Sequence, residues 1–288
     1  MKNDFATTYK KQLESCLTSA LLEDIGTGDH TSKSCIYDKK NCTAFLLVKE
    51  SGHIAGIALS KMLCNLYDAS LILKTNANDG DFLKAGAIAF TISGKIQSIL
   101  AIERLILNSM QRMSGIATHT RQLLEQIRST YCQLLDARKT KPNFRYPEKW
   151  AVQIGGGSNH RMGLFDAILL KDNHIDAVGT VGGALEKTKT YLETHQLQLP
   201  VIVEARQIDE VYQIIKYPFV NRILLDNMSP NKIGEALEII SGRFPCEASG
   251  NITQKNIVEY AQTGVEFLSV GALTYSSKAI DLSLKIKA

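Results

Sequence analysis

Six short apolar runs recur through the second half of the chain, and this repetition constrains the fold more than any other feature of the sequence. Runs this apolar predict strands that are buried on both faces, and the helix-length segments between them indicate a parallel sheet. Six strand–helix units favour a closed or nearly closed α/β barrel. The runs are QLLDA at 133–137, AILLK at 167–171, VIVEA at 201–205, RILLD at 222–226, PCEAS at 245–249 and FLSVG at 267–271.

The alternative to a barrel is an open, doubly wound sheet that binds a dinucleotide. Such a sheet carries a G-x-G-x-x-G motif directly after its first strand, and none follows residues 133–137. The glycines at 155–157 do not supply the motif, because no predicted strand precedes them and no apolar helix follows them. We therefore predict a barrel.

Residues before 130 follow a different pattern. Leucines spaced four residues apart predict an amphipathic helix over 9–23. Apolar segments at 43–59 and 70–94, which are interrupted by glycines, predict the strand pairs of a small sheet. Two further helices are predicted, the first over 98–112 and the second from Ser114 or Thr118 to Arg128.

Composition excludes several classes of protein. The 288 residues are 44% hydrophobic and 22% charged, which is ordinary for a globular protein and excludes a disordered or disulfide-framework chain. The net charge of +4 is too small for a general nucleic-acid or membrane-surface binder. The six cysteines form no C-x-x-C pair, and the N-terminal segment lacks the apolar stretch of a signal peptide. We expect a cytoplasmic protein with free thiols that binds neither nucleic acid nor a membrane.

Positive charge is concentrated in one window of the chain. Residues 138–171 contain seven cations and two acids, which gives a local charge of +5 against +4 for the whole chain. Arginine binds carboxylate or phosphate through two parallel hydrogen bonds, and lysine supplies a compact charge for phosphate. We therefore expect a small ligand with several negative charges. The cations are Arg138, Lys139, Lys141, Arg145, Lys149, Arg161 and Lys171.

Polar residues lie at the C-terminal ends of the predicted strands, where barrel enzymes place their reacting groups. Glu204 and Asp226 belong to neighbouring strands and offer the oxygen ligands that Mg²⁺ prefers. The alternative for each acid is a solvated or salt-bridged carboxylate. At the last two strand ends, Ser249, Gly250 and Gly271 leave backbone N–H groups accessible to a phosphate, or serve tight turns alone.

Two residues of the cationic window have competing interpretations. His160 follows the GGGSN segment, where a lone histidine is more often a hydrogen-bonded structural residue than a catalyst, but the surrounding cations favour contact with the ligand. Lys171 closes the second predicted strand. It either holds an anion or acts as a Schiff-base nucleophile, as in barrel aldolases.

Six segments of the chain carry a family resemblance. They are ERLILNSMQRMSGIAT, LLDARKTKPNFRYPEKWAV, GGGSNHRMGLFDAILLKDNHI, ILLDNMSP, EASGNIT and SVGALTYS. In this order and at these spacings they closely resemble the quinolinate phosphoribosyltransferases (nicotinate-nucleotide pyrophosphorylases, carboxylating), which are type II phosphoribosyltransferases. The D-x-R-K-T element at 136–140 and the element from His160 to His174 are the most specific parts. The resemblance extends from residue 21 to the C-terminus.

The resemblance implies an enzyme of NAD synthesis that transfers phosphoribose from phosphoribosyl pyrophosphate (PRPP) to the ring nitrogen of quinolinate. The 2-carboxylate leaves as CO₂, and pyrophosphate is released. The implied fold is an N-terminal α/β sandwich over 1–112, joined by the tail 275–288, and a C-terminal incomplete α/β barrel over 113–274. The implied assembly is a homodimer in which the sandwich of one subunit covers the barrel mouth of the other.

The resemblance also implies a role for each residue of the site. The quinolinate carboxylates would be held by Arg138, His160, Arg161 and Lys171, together with Arg104 of the partner subunit. The PRPP phosphates would face Lys139 and Lys171, with Ser249, Gly250 and Gly271 at the 5′-phosphate. Glu204 and Asp226 would hold Mg²⁺ and the ribose hydroxyls.

Three departures from the family pattern bear on the choice of substrate. Ala137 stands where the family usually has threonine, 141–143 is Lys-Pro-Asn where it has Thr-Pro-Gly, and Tyr275 stands where it has histidine. These changes leave open a related phosphoribosyltransferase that acts on another aromatic acid, such as the molybdenum-operon homologues. A Schiff-base aldolase that uses Lys171 and a non-catalytic anion-binding barrel are the remaining alternatives.

Overall fold

The computed structural model describes residues 4–37 and 40–286, which form two compact units. The first unit consists of Met1–Arg121, Thr140–Gly156 and Leu273–Ala288, and the second of Gln122–Lys139 and Gly157–Ala272. The described residues of the predicted tail, 275–286, group with the first unit. Compared with the predicted division after residue 112, this unit also takes in 113–121 and 140–156. No helix among the described residues is long and apolar enough to cross a membrane.

Twelve helices and twelve strands lie within residues 4–37 and 40–286. The helices are α1 (Phe5–Thr8), α2 (Lys10–Ile25), α3 (His30–Cys35), α4 (Ile57–Tyr67), α5 (Ile96–Gln126), α6 (Arg145–Ile154), α7 (Asp172–Val178), α8 (Val181–Thr194), α9 (Ile208–Ile214), α10 (Pro230–Ile240), α11 (Ile257–Ala261) and α12 (Ala272–Tyr275). The strands are β1 (Asn41–Val48), β2 (Gly52–His53), β3 (Ile72–Thr75), β4 (Phe82–Leu83), β5 (Ile88–Lys95), β6 (Gln133–Leu135), β7 (Ile168–Leu170), β8 (Val201–Ala205), β9 (Arg222–Asp226), β10 (Cys246–Ser249), β11 (Phe267–Ser269) and β12 (Leu282–Ile286).

The first unit is built on an antiparallel sheet in the order β12-β1-β5-β3. Alternate residues of β1, Ala44, Leu46 and Val48, are fully buried, because successive side chains of a strand point to opposite faces. The C-terminal strand β12 pairs with β1, and Leu282 lies opposite Val48. The sheet predicted over 43–59 and 70–94 is thus confirmed and is extended by the end of the chain. The helix predicted over 9–23 is also confirmed, as α2.

One part of the predicted sheet is wrong, because residues from Ile57 onward form helix α4. The sequence offers no side-chain N-cap for this helix, and Gly56 precedes it in the left-handed conformation, with φ 103°. The cap comes instead from Asp79, whose carboxylate accepts hydrogen bonds from the backbone N–H groups of Gly56, Ile57 and Ala58. A cap that lies so far away in the sequence leaves no local signal.

The predicted interruption between residues 112 and 118 is also wrong, since α5 runs through it as one helix of 31 residues. Ser114 and Thr118 are not caps. Their hydroxyls accept hydrogen bonds from the backbone N–H groups of Ala55 and His53. Gly115 serves a close approach, because a Cβ at this position would lie 2.0 Å from the carbonyl oxygen of Lys278.

The second unit contains all six predicted barrel strands in one sheet, in the order β6-β11-β10-β9-β8-β7. The five pairings between neighbouring strands of this sheet are parallel. In a closed barrel, β6 and β7 would be neighbours, but they lie at opposite ends of this order. The fold is therefore an incomplete α/β barrel, which confirms the predicted class. All five residues of β8 are buried, as expected of a strand covered on both faces.

Candidate active site

The carboxyl ends of neighbouring strands bring Lys171, Glu204 and Asp226 together. Glu204 is the fourth residue of β8, Asp226 ends β9, and Lys171 follows β7. The pKa of the Glu204 carboxyl is raised, first by burial and then by the negative charge of Asp226, while Lys171 acts in the opposite direction. The backbone N–H of Asp172 also donates a hydrogen bond to Glu204. Two acids and one lysine therefore interact at a single edge of the sheet.

Asp226 is fixed by its neighbours on both sides. Ser249 lies opposite it in register on β10, and the Ser249 Oγ donates to Asp226 Oδ1 at 2.7 Å. The other carboxylate oxygen accepts a hydrogen bond from the side chain of Asn227, which adopts the left-handed conformation with φ 54°. Gly250 has φ 91°, and a Cβ on it would lie 2.2 Å from Asn227 Oδ1. The structure therefore explains Gly250 by its turn, while a phosphate contact at Ser249 and Gly250 stays a prediction.

A pair of arginines forms the second feature of the site. The pKa of the Arg161 guanidinium is lowered, first by burial and then by the positive charge of Arg138. Arg161 Nη1 donates to the carbonyl oxygen of Ala167 at 2.9 Å. The Nε atoms of Arg138 and Arg161 are buried and have no hydrogen-bond partner among the described residues. Leaving a buried donor unsatisfied costs about 1–3 kcal/mol. This pair is therefore suited to an incoming anion.

Two carboxylates, one of them fully buried, shape the loop that carries Arg161, and the sequence analysis missed their role. Asp136, which is fully buried, accepts hydrogen bonds from the backbone N–H of His160 at 2.8 Å and from the side chain of Asn159 at 2.6 Å. Asp166 accepts from the backbone N–H groups of Met162 at 2.6 Å and of Gly163 at 2.9 Å. Aspartate side chains often accept hydrogen bonds from backbone N–H groups of the same turn, so this residue type in a turn could have indicated the role of Asp166.

Glu247 is a further residue without a predicted role. It is fully buried on β10, where Arg222 Nη1 donates to its Oε2 at 2.9 Å and the Ser269 hydroxyl donates to its Oε1. His160 Nε2 lies 3.4 Å from the same Oε2. Burial opposes the ionisation of Glu247, but hydrogen bonds from His160, Ser269 and Arg222 outweigh it and lower its pKa.

The remaining predicted residues are placed as follows. Lys139 and Lys171 are exposed, and Gly271 directly precedes α12. Arg104 is exposed on α5, in the first unit, whereas the other predicted site residues lie in the second. A Schiff-base lysine is activated by burial or by a neighbouring cation, but Lys171 is exposed and faces the acid Glu204. This setting does not favour the aldolase alternative.

The departures from the family pattern have structural correlates at two positions. Asn143, which stands in the place of a glycine, has φ 58°, and asparagine tolerates this left-handed conformation better than most residues. The turn is thus kept without glycine. Tyr275 is 60% exposed at the end of α12. Nothing in the structure explains why alanine occupies position 137.

Comparison with known proteins assigns both parts of the chain to one family. The pattern described as "Quinolinate phosphoribosyl transferase, N-terminal domain" matches residues 29–114, and the pattern of the C-terminal domain matches residues 116–285. The chain belongs to the quinolinate phosphoribosyltransferase family. This membership confirms the resemblance found in the sequence.

Individual members of the family match over most of their length. "Quinolinate phosphoribosyltransferase (decarboxylating) 2, mitochondrial" of Nicotiana glauca is 45% identical over 289 residues, which cover 95% of this chain and 82% of that protein. "Nicotinate-nucleotide pyrophosphorylase (carboxylating), chloroplastic" of Arabidopsis thaliana is 43% identical with the same coverage of 95% and 82%. The solved structure of the nicotinate-nucleotide pyrophosphorylase from Francisella tularensis has a TM-score of 0.87 and 39% identity, and the match covers 96% of both chains.

Proposed function

We propose that this quinolinate phosphoribosyltransferase family member converts quinolinate and PRPP into nicotinate mononucleotide, CO₂ and pyrophosphate in NAD synthesis. The observation that carries the proposal is the arginine pair, because two interacting guanidinium groups whose buried Nε atoms lack partners among the described residues favour an anionic ligand. Quinolinate carries two neighbouring carboxylates. A dianion of this shape can satisfy both guanidinium groups at once.

The quinolinate subsite consists of Arg138, Arg161 and Lys171, with Arg104 of the partner subunit as the fourth cation. Arg138 and Arg161 influence each other electrostatically, and Lys171 lies near Glu204, at the strand ends where PRPP would bind. Lys171 can therefore face both substrates. The resemblance also implies His160 as a quinolinate contact, but its two ring nitrogens are directed at the Arg161 N–H and at Glu247.

The PRPP subsite consists of the acids, Lys139 and the late strand ends. Lys139 and Lys171 would face the phosphates, and Ser249, Gly250 and Gly271 would receive the 5′-phosphate. No group of three or more His, Cys, Asp or Glu side chains within residues 4–37 and 40–286 is arranged to hold a metal. The pair Glu204 and Asp226 nevertheless fits Mg²⁺, because burial and the negative charge of Asp226 raise the pKa of Glu204, and a bound divalent cation would favour the ionised carboxylate. When bound, Mg²⁺ would neutralise charge on the pyrophosphate.

The reaction requires charge stabilisation rather than a strong base. The lone pair of the quinolinate ring nitrogen forms the bond to C1 of the ribose, and the C1–O bond breaks to release pyrophosphate. Lys139 and Lys171 would stabilise the leaving group, and the carboxylates of Glu204 and Asp226 would stabilise positive charge on the ribose. The alkylated ring is cationic, so it accepts the electron pair of the breaking C–C bond when CO₂ leaves. A proton from solvent then replaces the carboxylate.

The decisive experiment is incubation with quinolinate, PRPP and Mg²⁺, in which nicotinate mononucleotide, CO₂ and pyrophosphate are measured together. We expect the three products in equal amounts. Nicotinate, which lacks the 2-carboxylate, is the matched control substrate and should react poorly. Binding of both substrates without release of CO₂ or pyrophosphate would contradict the proposal and favour the anion-binding barrel. A clear preference for another aromatic acid would favour the molybdenum-operon type of relative.

We further propose a homodimer in which Arg104 completes the active site of the partner subunit. The support is the family resemblance and the exposed position of Arg104, whose side chain forms no ion pair among the described residues. Arg104→Ala and Arg161→Ala should each be inactive alone, and a mixture of the two should recover activity at the sites that carry neither change. A mixture that stays inactive while forming dimers would contradict shared sites.

We also propose that the protein acts in the cytoplasm. All six of its cysteines are free thiols, which agrees with a reducing compartment. Burial raises the pKa of the Cys246 thiol to about 12 and that of Cys64 to about 11, so these thiols are unreactive. Localisation of a tagged full-length protein by fluorescence microscopy tests this assignment, and an organellar signal would overturn it.

A further inference from the structure

A chain of hydrogen bonds runs from Arg161 through His160 to the buried carboxylate of Glu247. His160 Nδ1 accepts a hydrogen bond from the backbone N–H of Arg161 at 2.7 Å. On the other side of the ring, His160 Nε2 lies 3.4 Å from Glu247 Oε2, and the His160 side chain is only 7% exposed. Both ring nitrogens are therefore directed at groups of the protein.

The contact at Nδ1 determines where the proton of the ring lies. A ring nitrogen that accepts a hydrogen bond carries no proton, so the neutral imidazole must carry its proton on Nε2, which faces Glu247. An imidazolium with a proton on each nitrogen would place the Nδ1 proton against the Arg161 N–H. A carboxylate of a ligand could be bound by a ring nitrogen only if one of these two contacts were broken.

Hydrogen bonds from two neighbouring strands fix the position of the Glu247 carboxylate. Arg222 and Ser269 donate to it from the neighbouring strands β9 and β11, and the Arg222 guanidinium carbon lies 3.9 Å from the centroid of the Phe267 ring. The backbone N–H of His160 is in turn bound to Asp136, which follows β6. The charged groups around His160 are thus Glu247, Asp136 and Arg161, with Arg222 behind Glu247.

We propose that Glu247 and His160 are positioning residues that fix the backbone at Arg161, and that His160 forms no ion pair with quinolinate. The inference rests on the proposed function, because it assigns the quinolinate contact to Arg161. Its mechanism is geometric. The Arg161 guanidinium can meet a carboxylate only if the preceding peptide is fixed, and His160 links that peptide to the rigid strand β10.

The first test reads the protonation of the ring and needs no enzymatic assay. Protein with ¹⁵N-labelled histidine is examined by NMR at neutral pH, and the His160 resonances are those that disappear in His160→Gln. We expect a protonated Nε2 and an unprotonated Nδ1, and the same pattern when quinolinate is added. A proton on Nδ1 in the free protein, or one that appears with quinolinate, would overturn the inference. Because the free protein is measured, this result is independent of the proposed reaction.

The second test uses Glu247→Gln, which changes a residue that lies behind the proposed site. Loss of residues that orient metal-binding side chains typically costs roughly 10- to 100-fold in affinity or activity, and we take this range for a residue that orients Arg161. We expect the KM for quinolinate to rise by about this factor, while the KM for PRPP changes less than twofold. Glu210→Gln is the matched control, because it removes another buried carboxylate that pairs with an arginine, Arg206, in the same unit. An equal effect on both KM values, or an unchanged KM for quinolinate, would overturn the inference.

Discussion

Arg161→Leu is expected to remove most quinolinate binding without weakening the fold. The variant loses the hydrogen bond from Arg161 to the carbonyl oxygen of Ala167. It also removes a buried, unsatisfied Nε, the repulsion from Arg138 and the smaller attraction to Asp166. A hydrogen bond from a charged group contributes about 1.5–3 kcal/mol and an unsatisfied buried donor costs about 1–3 kcal/mol, so these terms nearly cancel. We expect the free energy of unfolding to change by less than about 1 kcal/mol.

Substrate binding should respond far more strongly than stability. Truncating one partner of a buried, hydrogen-bonded charge pair costs about 2–5 kcal/mol. This range corresponds to a loss of roughly 30- to 5,000-fold in kcat/KM for quinolinate. Steady-state kinetics with varied quinolinate at saturating PRPP measures this loss, and urea unfolding of the same preparation measures stability.

Arg112→Leu is the matched control, because Arg112 forms an ion pair with a buried carboxylate, whereas Arg161 forms none among the described residues. Arg112 Nε donates to Glu148 at 2.9 Å, and Glu148 is fully buried. Removing this arginine leaves an uncompensated buried carboxylate, which costs about 3–5 kcal/mol of stability. The reasoning is refuted if Arg161→Leu destabilises the protein as much as Arg112→Leu, or if it retains kcat/KM for quinolinate.

Three further predictions follow from individual contacts. Gly115→Ala should cost about 3 kcal/mol or more, because its Cβ would strike the Lys278 carbonyl, whereas Gly234→Ala in α10 meets no atom within 4 Å and should gain about 0.5–1 kcal/mol in thermal unfolding. Ser249→Ala should raise the KM for PRPP more than that for quinolinate, since it releases Asp226 Oδ1; equal KM changes would contradict this. Folding lowers the pKa of Glu247 below its ordinary value of 4.5. The ionised carboxylate therefore stabilises the fold at pH values above 4.5, and this stabilisation is lost as the pH falls through the lower pKa of the folded state. The difference in unfolding free energy between wild type and Glu247→Gln should therefore shrink on acidification, and a difference independent of pH would argue against it.

The barrel could be predicted from the sequence because its strands are covered on both faces. A strand such as β8, in which every residue is buried, must be apolar throughout and stands out in any sequence. The predicted helix and strand boundaries were wrong where residues typical of turns or helix caps form hydrogen bonds with residues far away in the sequence. Ser114 and Thr118 look like helix caps but accept hydrogen bonds from residues 55 and 53. The cap of α4 comes from Asp79.

Part of the candidate site could be predicted because positive charges outnumber negative charges in its segment of the sequence. An excess of cations within a short window remains visible in the sequence, and Arg138 and Arg161 are predicted as site residues in that way. Asp136 and Glu247 were missed because each lies within an apolar run and was counted as part of a strand. A fully buried carboxylate needs several hydrogen-bond donors, so an acid inside such a run is itself a signal of a polar network.

The distribution of satisfied and unsatisfied groups supports the side of the network that we propose for the ligand. Glu247 accepts hydrogen bonds from Arg222 and Ser269, and Asp136 accepts them from two further groups, so these acids have no need of a ligand. The guanidinium groups of Arg138 and Arg161 retain buried donors that have no hydrogen-bond partner among the described residues. These donors are in place before a substrate binds. A site with fixed positive charge needs little reorganisation when an anion binds, so the electrostatic attraction is not offset by the cost of assembling it. A neutral analogue of quinolinate, such as its diamide, has the same ring but carries no negative charge to pair with the guanidinium groups, and it should bind far more weakly.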